Sequence, residues 1–509
     1  MTGLVHVDPY EEGLRLSTQN RHAEAIDRFE RALQTSPDDP RVLFALGNTA
    51  RALGMSQPAQ LFFNRVLALE PGRIEALVNL ANLLRAEGNF GAAHALLAPA
   101  LARNQDAPEL WLTLGSVYRE MGDSGLAEQY YRAALERRPD YPPALGNLAD
   151  LLADQGSVNE ALELYGTVLK REPKDAQARL NRSILQLLRG NLKDGWRDYA
   201  ARLKIPGKAP VADHGLPSWQ GMHLKRTRLL VTAEQGVGDQ LMFASLIGDL
   251  ATRAKDDGGT LIFECEPRLV PLFARSFPAV TVKPSQMQAK GGVTTAHYGW
   301  LKAAGGANAA IELGSLPRIL RYRPTQFPNP NAYLVPAADE KVRWRETFSA
   351  LGDNPHIGIC WRSGKMGGAR NLQFAPLEAW GEFIRTLPGT IVSAQYDAAS
   401  EEIAALETIG GRKIVVPQAI DQKNELDRTC AMLSALDAVV TAPTAVAWLA
   451  SGAGVPTFKI LYDTSWTSVG ESFEPFAPSC VCLMPRTRGD WRDTFAQACE
   501  SIRALPTAR

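Results

Sequence analysis

The sequence predicts an α-solenoid of stacked helix pairs followed by an α/β region built from two doubly wound domains. Three observations carry that prediction. Ala25, Ala59, Ala93, Ala127 and Ala161 recur at steps of 34 residues, a period that points to a repeated supersecondary unit. Beyond residue 226, short β-branched runs alternate with amphipathic segments, the pattern of parallel strands buried between helices. Between these regions lies a stretch rich in proline, glycine and charge. The expected domains are a repeat domain at 1–203, a linker at 204–226, and two α/β domains at 227–335 and 336–509.

Each repeat carries its own structural logic. Gly47, Ala81, Gly115 and Ala149 share one register, and Pro37, Pro71, Pro139 and Pro173 share another. Phe29, Phe63, Leu97, Tyr131 and Tyr165 follow each alanine by four. Small residues let paired helices approach, the large residue fills the gap, and proline ends the second helix. Five copies over about residues 6–175 resemble the tetratricopeptide repeat, and a degenerate sixth, AQARLNRSILQLLRGNLKDGWRDYAARL, reads as a cap. Such arrays present a groove to proteins, or only brace a chain. Asn79, Asn82, Asn147 and Asn181 recur on first helices, either as amides for a ligand backbone or as solvated polar positions.

Residues 204–226 lack helical periodicity and read as a connector, with Trp219 available to pack it down. The runs RLLVTAE, TLIFECE, VTVKP, HIGICW, GTIVSAQY, KIVVP, DAVVTA and PTFKIL then read as strands. A break near 324–355 separates two groups, giving two Rossmann-like domains whose ligands bind at the carboxyl ends of the strands.

The first strand runs into Gly236-Val237-Gly238-Asp239. A dinucleotide fingerprint fails because Leu241 stands at the third glycine, although Glu264 ends the second strand as that reading requires. A Walker loop is excluded by the missing G-K-[ST]. The turn instead delivers Asp239 to the start of a helix, where the peptide dipoles are expected to lower its pKa. Spacing alone leaves two roles open for Asp239, a helix cap or a functional carboxylate in the cleft.

This x-G-x-G-D turn in the first of two Rossmann-like domains resembles the GT-B glycosyltransferases, in particular the family 9 heptosyltransferases. HIGICWRSGKMGGARNLQFAPLEAW resembles that family's strand and phosphate-binding loop, and IVSAQYDAASEEIAAL its next strand. LDAVVTAPTAVAWLASGAGVPTF departs from the family. Ala442-Pro443-Thr444 replaces its acidic residue and Trp448 stands where histidine is common, so heptose specificity does not carry over. SWQG, AEQGVGDQLMFAS, ECEPRLVPLFARSFP, LGSLPR, ICWRSG, QYD and the preceding repeats resemble the bacterial flagellin glycosyltransferases over essentially the whole chain.

The resemblance implies a GT-B enzyme that transfers pseudaminic or another nonulosonic acid from its CMP form to Ser or Thr of flagellin held by the repeats, supporting filament assembly and motility. It implies Asp239 as general base, with Gly236, Gly238 and Gln240 on the acceptor side; Arg318, after LGSLP, either meets a sugar carboxylate or is a surface arginine. The leaving phosphate needs cations and N–H groups, for which Arg362, Ser363, Gly364, Lys365, Arg370, Asn371 and Thr444 stand in loops after strands, Thr444 equally fitting a plain N-cap. Gln395 and Tyr396 are candidates for the base or ribose. His297, in TAHYGW, is a fallback base. No D-x-D occurs in the chain, so metal-independent, inverting transfer without a cofactor is expected. A UDP- or ADP-sugar donor with another acceptor, or an inactive repeat scaffold, are the alternatives. Truncating residues 1–200 is expected to remove protein modification and spare nucleotide binding.

Composition narrows the rest. Lys plus Arg number 55, as do Asp plus Glu, so no overall field favours nucleic acid or an anionic membrane. Six scattered cysteines show no zinc spacing. The first residues, MTGLVHVDPYEEG, lack the pattern of a signal peptide, and the uncharged run 438–458 is broken by prolines, fitting an α/β unit better than a membrane span. A cytoplasmic protein is expected.

Overall fold

The computed structural model describes residues 8–290, 292–327, 332–352, 354–364 and 367–505, the side chains of 368–370 excepted. Lys365 and the side chain of Arg370 lie outside the described residues. The chain forms two compact units, Met1–Ala178 and Arg179–Arg509.

The first unit is a helical solenoid. Its antiparallel pairs are Pro9–Thr18 with His22–Thr35, Pro40–Ala52 with Ser56–Leu69, Ile74–Ala86 with Phe90–Arg103, Pro108–Glu120 with Ser124–Arg137, and Pro142–Asp154 with Val158–Arg171. Proline opens four of the first helices, where its missing N–H costs nothing, and Asp8 and Asp39 cap two of those by accepting from Tyr10 N and Arg41 N. The turn inside each pair needs a left-handed residue: Gly54, Gly88, Gly122 and Gly156 have φ of 73–85°, and Asn20 does the same at 60°. Within a pair the helices nearly touch. A Cβ on Gly47 or Gly115 would lie 2.7 Å from the ring of Phe63 or Tyr131, both essentially buried. Between pairs, Arg85 binds Glu120 and Arg119 binds Asp154, each at 2.6 Å. Asn79 donates to Asn48 at 2.9 Å and Asn147 to Ser116 Oγ at 3.2 Å, so these two amides join neighbouring first helices.

Among its described residues the second unit holds three sheets. Its strands are β1 (Val211–Ala212), β2 (Arg228–Thr232), β3 (Thr260–Cys265), β4 (Thr281–Pro284), β5 (Met287–Lys290), β6 (Val293–Ala296), β7 (Ala309–Glu312), β8 (His356–Cys360), β9 (Thr390–Ser393), β10 (Ile414–Val415), β11 (Ala438–Thr441), β12 (Thr457–Ile460) and β13 (Cys480–Leu483). A four-stranded parallel sheet has the order β4-β3-β2-β7. A six-stranded parallel sheet has the order β10-β9-β8-β11-β12-β13, the doubly wound 3-2-1-4-5-6 arrangement. In each, the chain leaves the first strand in one direction and later returns to its other side. That reversal opens a crevice beyond the carboxyl ends of β2 and β7, and another beyond β8 and β11. A small sheet, β1-β6-β5, completes the unit.

Two segments differ from the sequence reading. The degenerate sixth pair, Ala176–Leu188 and Leu192–Tyr199, lies from residue 179 onward in the α/β unit, not in a repeat domain running to 203. The reason is packing: the Trp196 ring sits 6.2 Å from Phe243 and 6.0 Å from Phe476, and Tyr199 lies 5.4 Å from Trp466. The expected linker 204–226 is also built in. It contributes β1, and Trp219 is buried, donating to Met222 O at 2.9 Å.

Candidate functional site

One cavity of about 850 Å³ lies where the carboxyl ends of the two parallel sheets meet, and both sheets line it. From the first come Gln235, Gly236, Gly238 and Asp239. From the second come Ser363 and Gly364 after β8, Tyr396 after β9, Thr444 after β11, and Tyr462 through Thr467 after β12. Strand order dictates this convergence, because each parallel strand delivers its following loop to the same edge.

Gly236 caps the helix Val237–Ala244, which places Asp239 in the first turn. Across the cavity, Thr444 caps the helix Ala445–Gly452, its hydroxyl accepting from Val446 N at 3.3 Å. The two helices touch at their first turns: a Cβ on Gly238 would sit 4.0 Å from Ala445 Cα and 3.8 Å from Trp448. Two helix N-termini therefore border one space, an arrangement that favours a bound anion.

Asp239 corrects one expectation. Its pKa is raised to about 6, because desolvation and the charge of Glu234 outweigh the N–H groups of Gly236 and Asp239 that would lower it. Behind it, Glu234 is buried and meets Arg202 at 2.6 Å. Burial pushes the Glu234 carboxyl up, against the pull of Arg202. Gln235 donates to the Tyr199 hydroxyl at 2.7 Å. Gln240 does not face the cavity. It donates to Gln235 O and accepts from Glu266 N, each at 2.8 Å, and so ties the turn after β2 to the end of β3.

The loop after β8 is organised internally. The Arg362 guanidinium makes a bidentate pair with Glu402 at 2.6 and 2.7 Å and reaches Asp397 at 3.1 Å, so its donors are directed at carboxylates rather than at the cavity. Gln395 is buried beneath this loop. It accepts from Trp361 N and Arg362 N and donates to Arg362 O and Asp397, each at 3.0 Å. The Tyr396 hydroxyl accepts from Gly364 N at 2.6 Å. Asn371 accepts from Gly367 N at 2.7 Å, away from the lining.

Other expected residues fall elsewhere. Arg318 donates to Gln220 at 2.7 Å and does not line the cavity. His297 follows β6, pairs with Asp213 at 2.8 Å, and is not at the cavity, because the small sheet holds it. Glu264 presents no carboxylate to a ribose. It is fully buried, accepts from Ala233 N at 3.1 Å and Tyr298 OH at 2.9 Å, and desolvation raises its pKa to about 7. In the first unit, Asn82 accepts from Arg85 at 2.7 Å, and Asn181 lies on Ala176–Leu188, within the α/β unit rather than the solenoid. Among the described residues of the solenoid, a shallow cavity of about 440 Å³ is lined by Phe44, Ile74, Glu75, Val78, Asn79 and Glu109.

Several cavity residues were not anticipated. Lys459, buried near the end of β12, pairs with Glu474 and lies 5.3 Å from the Trp448 ring. The hydroxyl- and aromatic-rich loop Tyr462–Thr467 follows it, and a polar loop at the carboxyl end of a strand is the signal that marks such a wall. Arg202 and Glu234 carried no sequence signal of their own.

Comparison with known proteins agrees with the repeat assignment. Family models described as tetratricopeptide repeat match residues 16–77, 118–184 and 78–142. The first unit is thus a tetratricopeptide-repeat solenoid, a class that typically serves protein–protein recognition. Protein FlbA of Caulobacter vibrioides (strain ATCC 19089 / CIP 103742 / CB 15) is 31% identical over 325 residues, covering 63% of this chain and 54% of FlbA. The chain spans about half the length of this curated relative. A thermophilic TPR protein of Thermus thermophilus shares 29% identity over 35% of this chain and 98% of its own, with a TM-score of 0.32. MamA shares 24% over 32% of this chain and 96% of its own, with a TM-score of 0.28. The remainder of the chain is a mixed α/β region with parallel sheets.

Proposed function

We propose that the α/β unit is a GT-B glycosyltransferase acting on a protein hydroxyl, and that the repeats hold the acceptor. The observation that carries this reading is the shared cavity, with Asp239 on one wall and the N-terminus of the helix that Thr444 caps on the other. A nucleotide sugar lies with its phosphate against the second wall, where peptide N–H groups receive the growing charge. Asp239 takes the proton of a Ser or Thr hydroxyl as that oxygen attacks the anomeric carbon from the opposite face. The bond from that carbon to the phosphate oxygen breaks, the nucleotide leaves with the electron pair, and the configuration inverts. A carboxylate with a pKa of about 6 suits that task near neutrality, being ionised yet more basic than an exposed aspartate.

The motif resemblance supports a CMP-linked nonulosonic acid as donor and flagellin as acceptor. A panel of CMP, UDP, GDP and ADP, each with and without Mg²⁺, read by thermal shift, separates the donors. A selective, metal-independent shift with CMP is expected, followed by a mass increase on flagellin in an intact-mass assay. A response to UDP or ADP alone replaces the donor. Silence toward all four favours an inactive repeat scaffold, a reading that the pairing of Arg362 with Glu402 and Asp397 also supports.

A further inference from the structure

Arg202 enters the first sheet's crevice from the turn Ala200–Lys204, immediately after the sixth helix pair. Its side chain and that of Glu234 are each 5% exposed. Glu234 Oε1 accepts from Arg202 Nη2 at 2.6 Å, from Arg202 Nε at 3.3 Å and from Gly314 N at 3.1 Å. The same Nη2 also donates to Ser315 at 3.0 Å, and Nη1 to Tyr199 O at 3.2 Å. The guanidinium is thereby turned inward. Glu234 Oε2 is buried without a hydrogen-bond partner, an asymmetry that a purely bracing ion pair does not require.

Five residues on, Asp239 lines the cavity, while the Arg202 guanidinium donates to Glu234, Ser315 and Tyr199 O. We propose that Arg202 and Glu234 form a positioning pair behind Asp239: Glu234 keeps the Arg202 guanidinium off the Asp239 carboxylate, which stays free to take a proton from an attacking hydroxyl. This rests on the reading of Asp239 as the acid–base group. The charged groups around Asp239 allow such control. Glu234 raises its proton affinity and Arg202 lowers it, in that order of size. Tyr199, on the preceding helix, stays neutral because burial pushes its phenol up. Glu234 in turn raises Glu264 in β3 and is raised by Glu312 at the end of β7; the facing helix Ala445–Gly452 carries no charged residue, and Glu266, Arg268, Lys423 and Asp463 line the same cavity. Lys459 is neutralised by Glu474.

The test is a titration of the full chain labelled with [4-¹³C]aspartate, the Asp239 carboxyl signal being identified by its absence in Asp239→Asn. Removing only Glu234 leaves Arg202 unneutralised beside Asp239. Glu234→Gln is therefore expected to lower the Asp239 midpoint by about one pH unit or more, about tenfold in proton affinity. Arg202→Met combined with Glu234→Gln removes both charges and leaves no buried ion, so it remains readable if the single variant does not fold. Its midpoint is expected to lie below the wild-type value but above that of Glu234→Gln, while Glu234→Asp, which keeps the charge, holds the wild-type midpoint. A midpoint unmoved or raised in the double variant, or unmoved in Glu234→Gln, overturns the proposal. The titration needs no substrate. Undiminished transfer by Asp239→Asn sinks the acid–base reading separately, whatever the titration gives.

Discussion

Asp239 is a carboxylate held against its own preference for water. Its proton affinity is higher in the folded protein than in the unfolded chain, so it destabilises the fold increasingly as pH rises from about 4 through about 6. Glu264, raised to about 7, acts in the same direction. The protein is therefore expected to melt higher at mildly acidic pH than at pH 7.5, as far as these groups decide it. Asp239→Asn relieves one such cost, and its melting temperature is expected to rise by about 2–4 °C at pH 7.5, with the gain narrowing toward pH 5 in calorimetry. The same substitution is expected to lower turnover by about 10²-fold or more with donor affinity retained. Wild-type transfer should lose about tenfold per pH unit below about pH 6 and level off above it, as for a base that must be ionised. A flat rate profile from pH 5 to 8 would remove Asp239 from the reaction.

At the scale of elements, the crevice beside β7 depends on one absent side chain. A Cβ on Gly314 would fall 2.5 Å from Gln235 Oε1, 2.7 Å from Glu234 Oε1 and 3.0 Å from Arg202 Nη2. Gly314→Ala is expected to destabilise by about 1–3 kcal/mol in denaturant unfolding. Gly248→Ala, in the helix Ile247–Asp257 with open space around it, is expected to be neutral or stabilising by up to about 1 kcal/mol. Sequence legibility follows the same physics. The strands read from β-branched runs are β2, β3, β4 and β8–β12; in all but the edge strand β4, which buries no side chain, composition and burial agree. β7, with the sequence AAIE, was missed because two alanines carry little strand preference; its place beside β2 makes it a strand. Asp239 was legible from the glycine turn preceding it. Arg202 and Glu234 were not, because they are 32 residues apart and Arg202 sits in a segment whose helical pattern reads as a repeat.

For the whole molecule, the boundary between the units decides how the protein can be divided. Deleting residues 1–178 is expected to leave an α/β unit with a single cooperative melt and any nucleotide response of the full chain. Deleting residues 1–200, which the repeat pattern suggested, also removes Trp196 and Tyr199 from the core. Loss of large buried aromatics costs about 3–5 kcal/mol each, so that shorter fragment is expected to aggregate or melt without cooperativity. Equal stability of the two fragments would show that the sixth pair is dispensable.

The joints of the solenoid carry a different implication. Arg85 reaches Glu120 and Arg119 reaches Asp154, both across 35 residues in one register. Excising residues 86–119 would leave Arg85 in front of Asp154 with the period intact, although Ala81 would then stand in the place of Gly115, against the Tyr131 ring, and would need to become glycine. Because each repeat in a solenoid meets only those beside it, the length of this array is a modular dimension, open to shortening or extension by whole repeats while the chemistry of the joints is preserved.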